Sequence, residues 1–249
     1  MPGELTFMFP AWNEELIIER TIAAALITGQ ELVASGRIDG FEVLIVDDAS
    51  TDATGALVDA IAAVDDRVRV VHHSVNRKLG GAIRTGLSKA RGDLVLYSDA
   101  DMPFDLDQLH KALRLADIYD ADVVSAYRHD RTGEGARRAL YSHVYNAAVR
   151  GLLQLRVRDV NFAFKLIRRR VIDHLELRSE GSFIDVELLA KAQRMGFHII
   201  QFGVDYFPRA RGTSTLSSPA VIAKILRELV ALYGDVLRTR PVASLPPRG

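Results

Sequence analysis

An α/β fold with a mostly parallel central sheet, covered by helices on both faces, is what this sequence predicts. Three observations carry the expectation. Short apolar runs alternate with longer amphipathic ones at a spacing that suits strand–helix repeats. The first five apolar runs end in polar or charged residues, as strands do when a ligand site lies beyond their carboxyl ends. The length of 249 residues, 48% hydrophobic and 26% charged, is enough for one sizeable domain with an ordinary core.

The strand candidates, in order, are 5–9 (LTFMF), 41–46 (FEVLIV), 68–71 (VRVV), 94–98 (LVLYS), 122–127 (DVVSAY), 162–167 (FAFKLI) and 197–204 (FHIIQFGV). Helical patterns fall near 14–34, 53–63, 80–90, 105–118, 137–154, 182–195 and 219–238. No internal repeat interrupts them. Residues 1–240 are expected to form a single domain, and the proline-containing PVASLPPRG at 241–249 a disordered tail.

Lysines and arginines balance aspartates and glutamates at 32 each, which removes any global case for binding a nucleic acid polymer. The chain has no cysteine, so disulfides and thiolate metal sites are excluded. Its N-terminus lacks a basic segment followed by a long apolar one, and nowhere do about 18 apolar residues run together. The expectation is a cytoplasmic protein, with peripheral contact to the cytoplasmic membrane face left open.

Run endings locate the chemistry. The first run stops at Pro10-Ala11-Trp12-Asn13-Glu14, the second at Asp47-Asp48, the third at His72-His73, the fourth at Asp99-Ala100-Asp101 and the fifth at Arg128. No GxxxxGK[ST] loop is present and no GxGxxG follows the first run, which argues against a P-loop NTPase or a dinucleotide-dependent oxidoreductase. Asp99 and Asp101 point the same way along an extended segment. Both face one metal, or they bridge a metal and a ribose hydroxyl; the bland alternative is a helix cap and a solvated turn. A divalent ion held by so few carboxylates keeps open positions that a diphosphate fills. Asp47 and Asp48 suit hydrogen bonds to a base or ribose, while Ser50, Thr51 or Asp52 suits capping of the next helix. The stretch 76–82 (NRKLGGA), which includes Lys78, is either a turn that approaches a ligand or a helix start with glycines for geometry.

Taken together, these stretches resemble the family 2 glycosyltransferases, and within them the branch that acts on polyprenyl phosphates. The motifs are FPAWNEE (9–15), VLIVDDASTDAT (43–54), NRKLGGAIRTGL (76–87), GDLVLYSDAD (92–101), the Arg128 segment and PRARGTS (208–214), in the family's order over roughly residues 5–215. The resemblance implies a GT-A fold, a nucleotide-sugar donor of the GDP-mannose or UDP-glucose type, and Mg²⁺ or Mn²⁺ at Asp99 and Asp101. It also implies nucleotide contacts from Pro10, Trp12, Glu14 and Asp48; Asp47, at the same strand end, and Lys78, in the 76–82 stretch, are candidates for that site from their own positions. A grip on the acceptor phosphate is implied for Arg128, Arg138, Ser142, Arg209 and Ser214. Asp101, Asp185 and Arg209 are the candidates for a catalytic role. The chain departs from the family at Pro103, where glutamine is common, at Asn161-Phe162-Ala163, where a serine and a glycine are missing, and at Thr215, where lysine is usual.

Two acceptors and one rival remain at this stage. Residues 127–170 are rich in arginine and include an amphipathic pattern, which suits a lipid phosphate at a membrane surface. A phosphate is already anionic and needs no general base. A soluble hydroxyl acceptor needs one, and Asp185 or Glu187 is the candidate; two residues apart on a helix, they face different ways. The rival is a non-catalytic nucleotide-sugar-binding protein. The final helix suits packing or contact between copies of the chain, and a membrane partner subunit is also compatible with the sequence.

Overall fold

The structure, a computed structural model, describes residues 3–129, 147, 149–205 and 219–243, the side chains of 219–226 excepted. Seven strands form one sheet: β1 (Glu4–Ala11), β2 (Gly40–Asp47), β3 (Val68–His72), β4 (Leu94–Ser98), β5 (Val123–Arg128), β6 (Phe164–Arg168) and β7 (Ile199–Val204). Their order is β3-β2-β1-β4-β6-β5-β7. The helices are α1 (Ile18–Ala34), α2 (Thr54–Ala62), α3 (Lys78–Lys89), α4 (Gln108–Ile118), α5 (Arg169–Ile172), α6 (Ile184–Arg194) and α7 (Pro219–Arg238), with further helical residues at 149–153.

Each apolar run became a strand because its residues are needed on both faces. Leu5, Phe7 and Phe9 of β1 point into one core layer, with Ile18, Ile22 and Leu32 of α1 and Leu109 and Leu113 of α4. Met8, between them, points into the opposite layer with Ile83 and Leu87 of α3 and Ile184 and Leu188 of α6. Such alternation into two apolar layers is what a doubly covered sheet requires. Burial of each of these large side chains is worth about 1.5–3 kcal/mol.

Helix ends are set locally. Both α1 and α6 stop where a glycine adopts a left-handed conformation, Gly36 at φ 67° and Gly196 at φ 90°. At Gly36, Arg37 N–H donates to the Leu32 carbonyl and Gly36 N–H to that of Val33; at Gly196, Phe197 and Gly196 bond Ala192 and Gln193 in the same pattern. These paired bonds satisfy carbonyls that the helix end leaves over.

Strand β6 runs antiparallel to both neighbours, β4 and β5, in a sheet otherwise parallel. The order also reverses at β1, since β2 lies on one side of it and β4 on the other. A crevice opens at such a switch, beyond the carboxyl ends of β1 and β4. Most of the helical pattern expected at 137–154, the motif at 208–214 and the tail from 244 lie outside the described residues. No described helix is long and apolar enough to cross a membrane.

Candidate active site

Chain segments leaving β1 and β2 are laced together and form one wall of the crevice. Asp48 N–H donates to the Ala11 carbonyl at 2.9 Å. Asn13 N–H donates to Ser50 Oγ and Thr51 N–H to Asn13 Oδ1, while Glu14 N–H donates to Thr54 Oγ1. Asn13 takes a positive φ of 56°, which asparagine tolerates better than most side chains. Pro10 is buried, Glu14 is half-buried, and Trp12 stands 54% exposed between these loops. An indole left in solvent beside a crevice is a ready stacking surface for a planar base.

Asp47 and Asp48 are both buried, and each is held by a histidine from the end of β3. Asp47 accepts from Ser50 N–H through Oδ1 at 3.0 Å and lies 2.8 Å from His72 Nδ1 through Oδ2. Asp48 Oδ1 takes two bonds, from His73 Nδ1 at 2.6 Å and from Arg77 N–H at 2.7 Å. His73 Nε2 in turn lies 2.9 Å from Thr85 Oγ1 on α3. Sequence reasoning noted His72 and His73 only as a polar strand end; their signal was the register Asp47↔His72, which no local pattern contains.

His72 also reaches Asp59, and its two carboxylate partners, Asp47 first, raise its pKa above the ordinary histidine value. A raised folded-state pKa means stabilisation that is complete below the unfolded value of about 6.5 and is lost as pH rises through the folded value. Urea midpoints of the protein and of His72→Gln are therefore expected to differ most near pH 5.5 and least near pH 9, about one to two units either side of histidine's range. A gap that widens with pH would contradict the assignment.

In the NRKLGGA stretch, Asn76 and Arg77 lead into α3, which begins at Lys78 with a φ of 61°. Lys78 N–H donates to Asn76 Oδ1, and a Cβ on Gly80 would stand 2.3 Å from the Ser179 carbonyl oxygen. That glycine is there to let α3 meet the backbone before α6. Lys78 itself is exposed, 3.7 Å from Glu180.

Asp99 and Asp101 emerge at the end of β4, next to the switch, and both are partly buried. The turn between them is tied to α1, because Thr21 Oγ1 donates to the Ala100 carbonyl at 2.5 Å. Met102 closes it with a bond to the Asp99 carbonyl and a φ of 37°. Two hard carboxylates fit Mg²⁺ or Mn²⁺, which commonly bind through one or two carboxylates and complete their shell from phosphates and water. Among the described residues no group of three His, Cys, Asp or Glu forms a cage, so the donor set suits a shared ion and not an all-protein site.

Arg128, at the end of β5, is forked on Asp159: Nε to Oδ2 at 2.7 Å and Nη2 to Oδ1 at 2.8 Å, with the guanidinium 5.9 Å from the Phe162 ring. Asp159 holds a positive φ of 40°. Of the arginine-rich stretch, much is structural: Arg168 and Arg169 donate to backbone carbonyls at the far end of the sheet, and Arg170 pairs with Asp122. Arg138, Ser142, Arg209 and Ser214 lie outside the described residues.

Both acidic residues of α6 are buried, though their neighbours differ. Glu187 accepts from Arg178 N–H, Ser179 N–H and Lys191 Nζ. Asp185 pairs with Lys165, a fully buried lysine from β6, at 2.5 Å. Burial pushes the Asp185 carboxyl above its usual range; the Lys165 charge opposes this and that of Asp159 adds to it.

An α/β crevice at a sheet switch point with paired acids beside it is the architecture of a GT-A glycosyltransferase. Solved structures agree. A mannosyltransferase from Pyrobaculum calidifontis, in complex with GDP-Man and Mn²⁺, superposes with a TM-score of 0.66 at 21% identity, over 99% of this chain and 67% of its own. Glucosyl-3-phosphoglycerate synthase from Mycobacterium tuberculosis, with Mn²⁺, UDP-Glc and phosphoglyceric acid, gives 0.65 at 20% over 98% and 82%. Residues 6–176 match the model for glycosyl transferase family 2, and the chain belongs to that family. Glycosyltransferase AglD of Haloferax volcanii is 31% identical over 251 residues, 98% of this chain; the chain spans 38% of that protein's length. Polyprenol monophosphomannose synthase of Mycolicibacterium smegmatis is 31% identical over 186 residues, 70% of each chain. Undecaprenyl-phosphate mannosyltransferase of Micrococcus luteus is 29% identical over 213 residues, covering 80% and 86%.

Proposed function

We propose that the chain transfers a hexose from a nucleotide-sugar to a polyprenyl phosphate, with inversion at the anomeric carbon. The observation that carries this reading is the placement of Asp99 and Asp101 at the β1/β4 switch, with the Arg128 guanidinium at the end of β5 in the same sheet edge. The names of two relatives, a polyprenol monophosphomannose synthase and an undecaprenyl-phosphate mannosyltransferase, support the acceptor class.

In this mechanism the laced β1 and β2 loops receive the nucleoside, with Trp12 against the base and Asp48 accepting from the base or ribose. Asp99 and Asp101 hold the Mg²⁺ or Mn²⁺, which supplies Lewis-acid compensation of the diphosphate charge. Arg128, oriented by its fork on Asp159, supplies positive charge to the acceptor phosphate. An anionic phosphate oxygen is its own nucleophile, so no side chain has to take a proton. Arg209, Arg138, Ser142 and Ser214 belong to this acceptor proposal as well. A peripheral membrane contact follows from the lipid nature of such an acceptor.

A soluble hydroxyl acceptor is the second reading, and the observation in its favour is that burial raises the Asp185 pKa, as a general base requires. Glu187 is less suited, since its oxygens already hold two backbone N–H groups and Lys191.

The test incubates the protein with labelled GDP-mannose or UDP-glucose, Mn²⁺ and a polyprenyl phosphate, and follows label into the organic phase. Arg128→Gln is expected to raise the acceptor KM by about 10-fold or more, the weight of a lost charge-assisted bond, with donor binding unchanged. Release of nucleoside diphosphate without lipid label would favour the soluble acceptor. Neither signal would return the balance to a binding protein.

A further inference from the structure

Lys165 lies within the arginine-rich stretch 127–170, yet it is fully buried. Strand register places it opposite Tyr97, with Phe164 opposite Ser98, so it sits just inside the sheet edge from which Asp99 emerges. Its ammonium has a partner in three directions. Asp185 Oδ1 is at 2.5 Å, the Phe162 carbonyl at 2.9 Å, and the Tyr97 ring centroid at 5.3 Å.

Resting on the nucleotide-sugar reading above, we propose that Lys165 is a positioning residue that fixes one oxygen of Asp185 and presents the other to the hydroxyls of the donor's hexose. The comparison with Glu187, two residues further on, separates the two roles. Glu187 is completed by the protein, with bonds on both oxygens. Asp185 is committed through Oδ1 alone, and Oδ2 accepts no hydrogen bond from any described residue. The side chain is only 4% exposed, yet Oδ2 is not among the fully buried atoms without a partner, so this oxygen opens where a hydroxyl donor can reach it.

Location narrows the ligand. Lys165 Nζ lies 2.5 Å from Asp185 Oδ1 and 5.3 Å from the ring centroid of Tyr97, which puts this carboxylate next to a residue of β4 whose hydroxyl is buried. That hydroxyl has no partner of its own. Asp185 is therefore close to the end of β4, where the diphosphate is expected, and the group attached to a donor's diphosphate is its sugar. An acceptor phosphate would be repelled by this carboxylate; a neutral hexose would not. Stability gives no competing reason for the pair, because apolar residues of similar volume commonly replace a buried ion pair at no loss.

The experiment uses the whole chain in Mn²⁺ and measures binding of GDP, GDP-mannose, UDP and UDP-glucose by calorimetry. It compares the protein with the charge-free double variant Lys165→Met/Asp185→Leu, chosen because breaking the pair singly endangers folding. The double variant is expected to bind the nucleoside diphosphate within about twofold of the parent, but the matching nucleotide-sugar about 10- to 100-fold more weakly, the weight of a hydrogen bond to a charged group. Equal weakening of both ligands would show a merely structural pair and overturn the inference, as would no weakening of either. A parent that binds neither nucleotide nor nucleotide-sugar would overturn the donor reading itself, and the inference with it.

Discussion

Replacing Asp101 by alanine is expected to lower metal-dependent sugar transfer by about 10²- to 10³-fold, the size typical of losing one preorganised electrostatic contact. Asp101 stands on a turn that Thr21 and Met102 fix through backbone groups. What the variant loses is one of two hard oxygens offered to the ion. The loss should appear in two measurements. Release of nucleoside diphosphate slows at saturating Mn²⁺, and the Mn²⁺ concentration for half-maximal rate rises. The urea midpoint should hardly move. An Asp101→Ala protein that turns over at the parent's rate would remove the metal from this end of the sheet.

The largest effect on stability is expected from Lys165→Met. It leaves Asp185 buried without its cation, and breaking one side of a buried pair costs about 3–5 kcal/mol. Adding Asp185→Leu removes the uncompensated charge and should restore most of the loss. Urea unfolding of the single and double variants measures both numbers directly. A single variant as stable as the parent would mean that water reaches the pair, contrary to the complete burial of Lys165.

The strands were legible because a sheet covered on both faces needs unbroken apolar runs, and 43–46 and 94–98 show this plainly. The acids at the end of β4 were legible for the complementary reason: LVLYS turns abruptly into DAD, and few interior positions tolerate that. The direction of β6 was not, since FAFKLI has the same alternation read forwards or backwards. Only its pairing with Leu94–Ser98 settles it. The burial of Lys165 was not legible because its partner lies 20 residues on, in helix α6 beyond α5. The same distance problem hid the His73–Asp48 bond and the fork between Arg128 and Asp159. Arg138, Ser142, Arg209 and Ser214 remain positions implied by motif alone.

The reversal of β6 has a consequence for how such a molecule can diversify. In an all-parallel sheet each strand lends the crevice only the segment that leaves it. A reversed strand lends the segment that enters it, so the connection from β5 into β6 both departs from and returns to the same rim. Everything inserted there, from His129 to Ala163, begins and ends beside the crevice. The half that holds β1, β2 and β3 is untouched by its length or content. That connection can thus be exchanged as a module while β1, β2 and β3 stay in register.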